Sequence, residues 1–325
     1  MTTTGTSVAA RSTASGARRP ARSVSDGSGG RRRLPHEIRS ALPFLGPALA
    51  LYGVFLLYPM VSAIRLSFFD WNGFATSTPR FVGIDNYVRL FAQDPVFWTA
   101  FRNSVVWVLL SLVVPTGLGL LMAMALNRRM LGRNLMRSVF YIPAVLASIA
   151  VATMWTWIYN PMFGLLNQTL AAVGLEGWAQ EWLGNQTIAL YSIFVAFVWQ
   201  TTGFNMVLFL AGLQTVPPEL VESARVDGAS PLQVFRHVTL PALRPTTAVV
   251  LVLTTISSLK VFDLIVGMTG GGPAQSTQVL ALWSYTQSFG NHDFGIGNAV
   301  ATVLLVISLA LVVPYLLWTT RKAAS

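Results

Sequence analysis

The chain has 325 residues, of which 53% are hydrophobic and only 10% charged, and its mean hydropathy is +0.57. Soluble domains carry about 25% charged residues, so this composition belongs in a bilayer. The absence of cysteine excludes disulfide frameworks, thiolate metal sites and cysteine nucleophiles, and His36, His237 and His292 are too dispersed to suggest a metal centre.

The net charge of +10 is unevenly placed. Arg11, Arg18, Arg19, Arg22, Arg31, Arg32, Arg33 and Arg39 all precede the first apolar run, against two acids, Asp26 and Glu37. By the positive-inside rule this puts the N-terminus in the cytoplasm, and the charge then needs no nucleic-acid partner. Residues 1–40, rich in Ser, Thr, Ala and Gly, are expected to be a disordered basic tail; the same composition also resembles a transit peptide. A cleaved secretory signal fits poorly, because the apolar run that starts near Ala41 outlasts a signal core.

Crossing about 30 Å of hydrocarbon takes roughly 20 apolar residues in helix. Six stretches qualify: Leu42 to Phe69, Val105 to Leu126, Val139 to Ile158, Ile188 to Leu213, Thr247 to Gly267, and Ala299 to Trp318. The segments between them alternate in charge. Arg128, Arg129, Arg133 and Arg137 follow the second span, and Arg321 and Lys322 follow the sixth. Glu176 and Glu181 follow the third, and Asp293 follows the fifth. Only Arg80, Arg89 and Arg102 fall on the inferred outer side, with Arg65 and Lys260 inside spans. The expected architecture is an all-α integral membrane protein, a six-helix transmembrane bundle over residues 41–325 with both termini cytoplasmic. Trp71, Trp98, Trp178, Trp182 and Phe289 suit headgroup anchoring on the outer side, and Gly270-Gly271-Gly272-Pro273 must end the helix after the fifth span in a turn.

Polar groups inside spans are costly enough to be functional candidates. The fourth span offers Trp199, Gln200, Thr201, Thr202 and Asn205, and the fifth offers Ser257, Ser258, Lys260 and Asp263. Amides and hydroxyls beside an aromatic ring suit a neutral sugar, whose hydroxyls hydrogen-bond and whose C–H face packs on rings. Trp199, Gln200, Thr201, Asn205, Ser257 and Ser258 are therefore expected to line a passage, with hydrogen bonding between helices as the alternative for each. Lys260 and Asp263, three apart, are expected to pair on one helix face near its outer end; contact with a charged solute or a partner subunit is the alternative.

The polar segment from Thr215 to Pro245, within residues 214–245, is too well punctuated for a linker. Pro217 and Pro218 suit the first turn of a helix and Glu219 and Glu222 its positive end. Gly228 ends that helix, Ser230 caps a second with Pro231 at its first position and Gln233 completing a capping box, and Pro241 is expected to stop it. Small residues Ala224, Gly228 and Ala229 at the bend let another protein approach closely.

Glu222-Ser223-Ala224-Arg225-Val226-Asp227-Gly228-Ala229, followed by Phe235 and Leu240-Pro241, resembles the E-A-A-x-x-D-G-A signature of permease subunits of ABC importers, with Ser223 for the second small residue. Phe81-Val82-Gly83-Ile84-Asp85-Asn86-Tyr87, Asn103, Tyr141-Ile142-Pro143 and Met268-Thr269-Gly270-Gly271-Gly272-Pro273 are similar to the carbohydrate branch, in particular the first permease subunit of maltose-like and glycerol-3-phosphate-like systems. The resemblance implies a type I importer permease fold in a bacterial-type inner membrane, forming half of a translocation pathway. It implies that Glu222, Ser223, Ala224, Asp227, Gly228, Ala229, Phe235, Leu240 and Pro241 couple to an ATPase. The implied partners are two ABC ATPase subunits carrying ATP and magnesium, a second permease subunit, an extracytoplasmic solute-binding protein and a sugar-like solute. No cofactor, metal or catalytic residue is expected on this chain, and it lacks the phosphate loop G-x-x-x-x-G-K-[ST]. A self-sufficient ion-coupled secondary transporter is the alternative, and a membrane-embedded enzyme a third reading that the scarcity of clustered carboxylates disfavours.

Overall fold

The computed structural model describes residues 45–128 and 130–323, the side chains of 316 and 318–323 excepted. The expected tail 1–40, the first residues of the first expected span, Arg129 and the side chains of Arg321 and Lys322 lie outside the described residues. The chain divides into two units, with the boundary between Phe55 and Leu56. Of the first, the described part is helical, and Leu45, Leu49, Leu51, Tyr52, Val54 and Phe55 are all exposed, as side chains facing lipid are.

Helix α1 (Leu45–Leu66) ends three residues short of the span expected from hydropathy, because Phe69–Asp70 (β1) pairs antiparallel with Arg80–Phe81 (β2). The Asn86 amide donates to the Ser67 and Phe69 carbonyls, both at 2.9 Å, and so ties this small ribbon to the end of α1. After α2 (Asp85–Gln93) comes α3 (Pro95–Leu126), which starts ten residues before the predicted second span. The cause is a cap: the Asp94 carboxylate accepts from Val96 and Phe97 N–H at 2.9 and 3.0 Å.

The predicted third span is not one helix. It is α4 (Arg133–Val145) and α5 (Ser148–Ile158), bent by 100° at Leu146-Ala147. Pro143 lacks the N–H that would continue the ladder, and the helix stops two residues later. After α6 (Leu165–Ala172), α7 (Ala189–Gln214) matches the predicted fourth span closely. In α7, 61% of the most apolar window is buried, against 33% for α3, so α7 is the axis of the bundle. Its neighbours approach through small residues. A Cβ added to Gly203 would lie 2.0 Å from the Phe140 carbonyl of α4, and one on Gly119 of α3 would lie 2.7 Å from Asn205 Cβ of α7.

Two helices, α8 (Pro218–Val226) and α9 (Pro231–Ala242), form the expected hairpin, and α9 bends by 69° at Leu243 into α10 (Arg244–Leu259). Pro241 does not stop α9. A wide π-helical stretch at Phe235–Thr239 precedes it and absorbs the missing donor, as the stretch at Gly53–Leu57 does before Pro59. The fifth span is broken as well: α10 ends at Leu259 and α11 runs over Asp263–Met268. α12 (Leu280–Tyr285) and α13 (Phe294–Ala323) complete the chain, α13 beginning five residues before the predicted sixth span. Among the described residues, four helices are long and apolar enough to cross a membrane, or up to six if each bent pair is one span.

Residues 269–283 are not a simple outer turn. Thr277, Gln278, Val279 and Leu280 are all at most 4% exposed, and the segment returns into the bundle. Asn103 Nδ2 donates to the Ser276 and Gln278 carbonyls at 2.7 and 2.8 Å, Ser104 Oγ accepts from Leu280 N–H at 3.0 Å, and Trp283 Nε1 donates to Asp94 at 2.8 Å. The predicted anchors differ in use: Trp178 and Phe289 are exposed, whereas Trp182 stacks on Tyr159 and donates to Asn167 at 2.7 Å.

Replacing Asn103 with Leu leaves the buried Gln278 carbonyl unpaired. Asn103→Leu is expected to lower stability by about 1–3 kcal/mol or more, read as an earlier unfolding midpoint of the purified chain in detergent.

Candidate functional site

Both helix breaks meet α7. Between the α4–α5 break, α7 and the α10–α11 break lies a cavity of about 280 Å³. On α7 its wall is Phe197, Gln200, Thr201, Phe204 and Asn205, a stripe at the 3.6-residue period. Ala144 and Ser148 contribute from the first break, Leu253, Thr254 and Ser257 from α10, and residues 260–264 from the second break.

Each break frees backbone groups that hydrocarbon cannot satisfy. Gln200 answers one of them: its Nε2 donates to the Leu146 carbonyl at 3.0 Å and lies 3.4 Å from Ser148 Oγ. Asn205 is 3% exposed, and its Nδ2 has no hydrogen-bond partner. Thr201 Oγ1 donates back to the Phe197 carbonyl at 2.8 Å, while Ser257 is exposed and its hydroxyl makes no hydrogen bond among the described residues.

Of the six residues expected to line a passage, the cavity brings together Gln200, Thr201, Asn205 and Ser257. Trp199 and Ser258 lie outside its lining. Trp199 packs edge-on against Trp155 with ring centroids 6.0 Å apart, and Ser258 is 2% exposed with its Oγ donating to the Thr255 carbonyl at 2.9 Å. Sequence reasoning missed Phe197, Phe204 and Thr254. The helical period carried that signal, since Phe197 and Phe204 share a face with Gln200 and Thr201 whereas Trp199 turns about 100° away.

Lys260 and Asp263 do not form the expected ion pair. The helix is interrupted between them, so the spacing that would stack them on one face is lost. Both are exposed, both line the cavity, and neither side chain has a hydrogen-bond or ion-pair partner among the described residues. Lys260 follows the last residue of α10 and Asp263 opens α11, so each charge complements the partial charge of its helix end.

The hairpin α8–α9 is a second candidate surface. Ala229 N–H donates to the Ala224 carbonyl at 2.9 Å and Gly228 N–H to Arg225 at 3.1 Å, a Schellman closure with Gly228 at φ +84°. Gln233 Oε1 accepts from Ser230 N–H at 2.7 Å and Ser230 Oγ from Gln233 N–H at 3.4 Å, the reciprocal capping box. Glu222, Ser223, Asp227 and Gly228 are exposed, Ala224, Ala229, Phe235 and Pro241 half-buried, and Leu240 is 38% exposed. Beside them Val226 is 87% and Leu232 73% exposed, large apolar side chains held outward by the bend.

Residues 116–319 match the family described as binding-protein-dependent transport system inner membrane component, and the chain belongs to that family. It is therefore a multi-pass membrane transport subunit. It is 38% identical to a probable ABC transporter permease of Pyrococcus horikoshii over 88% of this chain and 97% of that one. It is 36% identical to the trehalose/maltose transport system permease MalF of Thermococcus litoralis over 83% and 90%. It is also 33% identical to the diacetylchitobiose uptake system permease NgcF of Streptomyces coelicolor over 90% and 86%. Among solved structures, a bacterial ABC transporter importing the acidic polysaccharide alginate superposes with a TM-score of 0.75 at 24% identity, covering 88% of this chain and 97% of that chain. The fold is that of type I importer permeases.

Only Gly adopts φ near +84° without strain. Gly228→Ala is expected to destabilise the hairpin by about 1–2 kcal/mol, measured as faster amide exchange from Ala224 to Gln233 with the rest of the chain unchanged.

Proposed function

We propose that this chain is one half of the translocation pathway of an ATP-driven importer of a sugar or related solute, and that the hairpin between residues 214 and 245 docks on a separate ATPase. The exposed acidic and apolar side chains of Glu222, Val226, Asp227 and Leu232 around a rigid two-cap bend are the observation that carries this reading. A surface of that kind in water is costly unless covered. The chain lacks a nucleotide-binding loop, so ATP and magnesium belong to the partners: two ATPase subunits, with a second permease subunit completing the pathway. Charge alternation along the sequence supports cytoplasmic termini and a cytoplasmic hairpin in a bacterial-type inner membrane.

A solute-binding protein would deliver the solute from outside, as the family description suggests, and relatives named for trehalose, maltose and diacetylchitobiose support a carbohydrate. The cavity against α7 is the proposed passage. Gln200, Thr201, Asn205 and Ser257 offer amides and hydroxyls to sugar hydroxyls, and Phe197 and Phe204 offer faces to its C–H surface. Docking and closure of the ATPases would move the hairpins and switch access between the two sides. Membership in a family of binding-protein-dependent systems argues against the self-sufficient carrier.

Glu222→Lys and Gly228→Trp are each expected to abolish uptake and co-purification with the ATPase while membrane insertion is unchanged; uptake that persists with the ATPase lost would refute the docking. Gln200→Ala combined with Asn205→Ala is expected to lower the transport rate at least tenfold or to change solute preference. Unchanged transport by that double variant would remove the cavity from the pathway.

A further inference from the structure

We propose that Lys260 and Asp263 set the charge selectivity of the cavity, holding it neutral overall and suited to an uncharged, polyhydroxylated solute. The inference rests on the reading of this cavity as the passage. Its lining is otherwise apolar, amide or hydroxyl; these two are its only charged side chains. Neither side chain has an ion-pair partner among the described residues, although the two are three residues apart. A charge within a membrane domain is expensive, and one that faces a cavity without a counter-ion acts on whatever enters.

The break in the fifth span sets the arrangement. It ends α10 just before Lys260 and starts α11 at Asp263, so a positive and a negative group border one space without neutralising each other. Complementing the helix ends explains the sign of each charge and leaves the sum at zero. An anionic solute gains at the Lys260 ammonium and is repelled at the Asp263 carboxylate; a cation meets the reverse. A diol avoids this conflict, because one hydroxyl accepts from the ammonium while its neighbour donates to the carboxylate.

The chain contains no cysteine, so a single introduced thiol is the only one it contributes, and the unsubstituted complex gives the background to subtract. Ser257→Cys in the assembled transporter is treated with an anionic and a cationic methanethiosulfonate, alone and combined with Lys260→Gln or Asp263→Asn. Lys260→Gln is expected to slow the anionic reagent relative to the cationic one, and Asp263→Asn to do the opposite, each by about threefold or more for a charge within roughly 6 Å. Exchanging the two, Lys260→Asp with Asp263→Lys, is expected to restore the ratio. Methyl α-glucoside is expected to protect the thiol better than glucuronate at equal concentration, with the order reversed in Asp263→Asn.

Ratios unmoved by either single variant would overturn the proposal, even where labelling of the thiol blocks uptake and so upholds the passage. Labelling that leaves uptake intact would instead overturn the passage and the proposal together. Loss of the second permease subunit from complexes carrying the charge variants would also overturn it, assigning the two charges to an interface between subunits.

Discussion

A helix that breaks in hydrocarbon leaves N–H and C=O groups that lipid cannot satisfy, and this requirement organises the bundle. Two spans break here, at Leu146-Ala147 and at residues 260–262, and both breaks turn toward α7 rather than outward. Gln200 reaches across to the Leu146 carbonyl, so a polar side chain in the middle of an apolar helix serves first as a backbone partner for a neighbour. The cavity exists because these irregular stretches cannot pack as regular helices do. Its polarity has the same origin, since irregular backbone is tolerated at this depth only where protein or water faces it.

Around that centre, packing is set by close approach. Gly203 lets α4 lie against α7 with the Phe140 carbonyl almost in contact, and Gly119 does the same for α3 beside Asn205. Apolar clusters above and below then lock the arrangement: Trp107, Ile193, Phe194 and Ile265 in one, Met206, Phe209, Leu213 and Leu243 in another. Hydrophobic burial alone would not select this geometry in lipid, where every apolar surface is already satisfied. Small residues and a few directed hydrogen bonds select it.

The parts of this fold legible in sequence are those signalled locally. Ser230, Pro231, Gln233 and Gly228 announced two caps because capping is short-range chemistry, and α7 was found within a residue at each end because its apolar run has clear borders. The breaks were hidden by averaging: Leu146 and Ala147 are as apolar as their flanks, and their partner Gln200 is 54 positions away. The same distance problem concealed the buried course of residues 276–280, whose carbonyls are taken by Asn103 from 173 residues upstream. Asp94 was legible in principle as a cap, yet the hydropathy of the run after it is diluted by Thr99, Arg102 and Asn103, so the start of α3 was placed too late. Of the cavity wall, Trp199 was chosen for chemistry when its position on the helix already pointed it elsewhere.

The bend at Leu243 has a mechanical consequence. Leu243 is fully buried in the cluster it shares with Met206 and Phe209, so this corner is held against α7. α10 has 16 residues and so extends about 24 Å from that corner, with Ser257 and Lys260 near its far end. The hairpin and the cavity wall thus lie on two helices that meet at this one buried corner. A tilt of α10 by a few degrees about this corner would sweep its far end through about one to two ångströms, more than the roughly 0.5 Å over which a hydrogen bond holds its length.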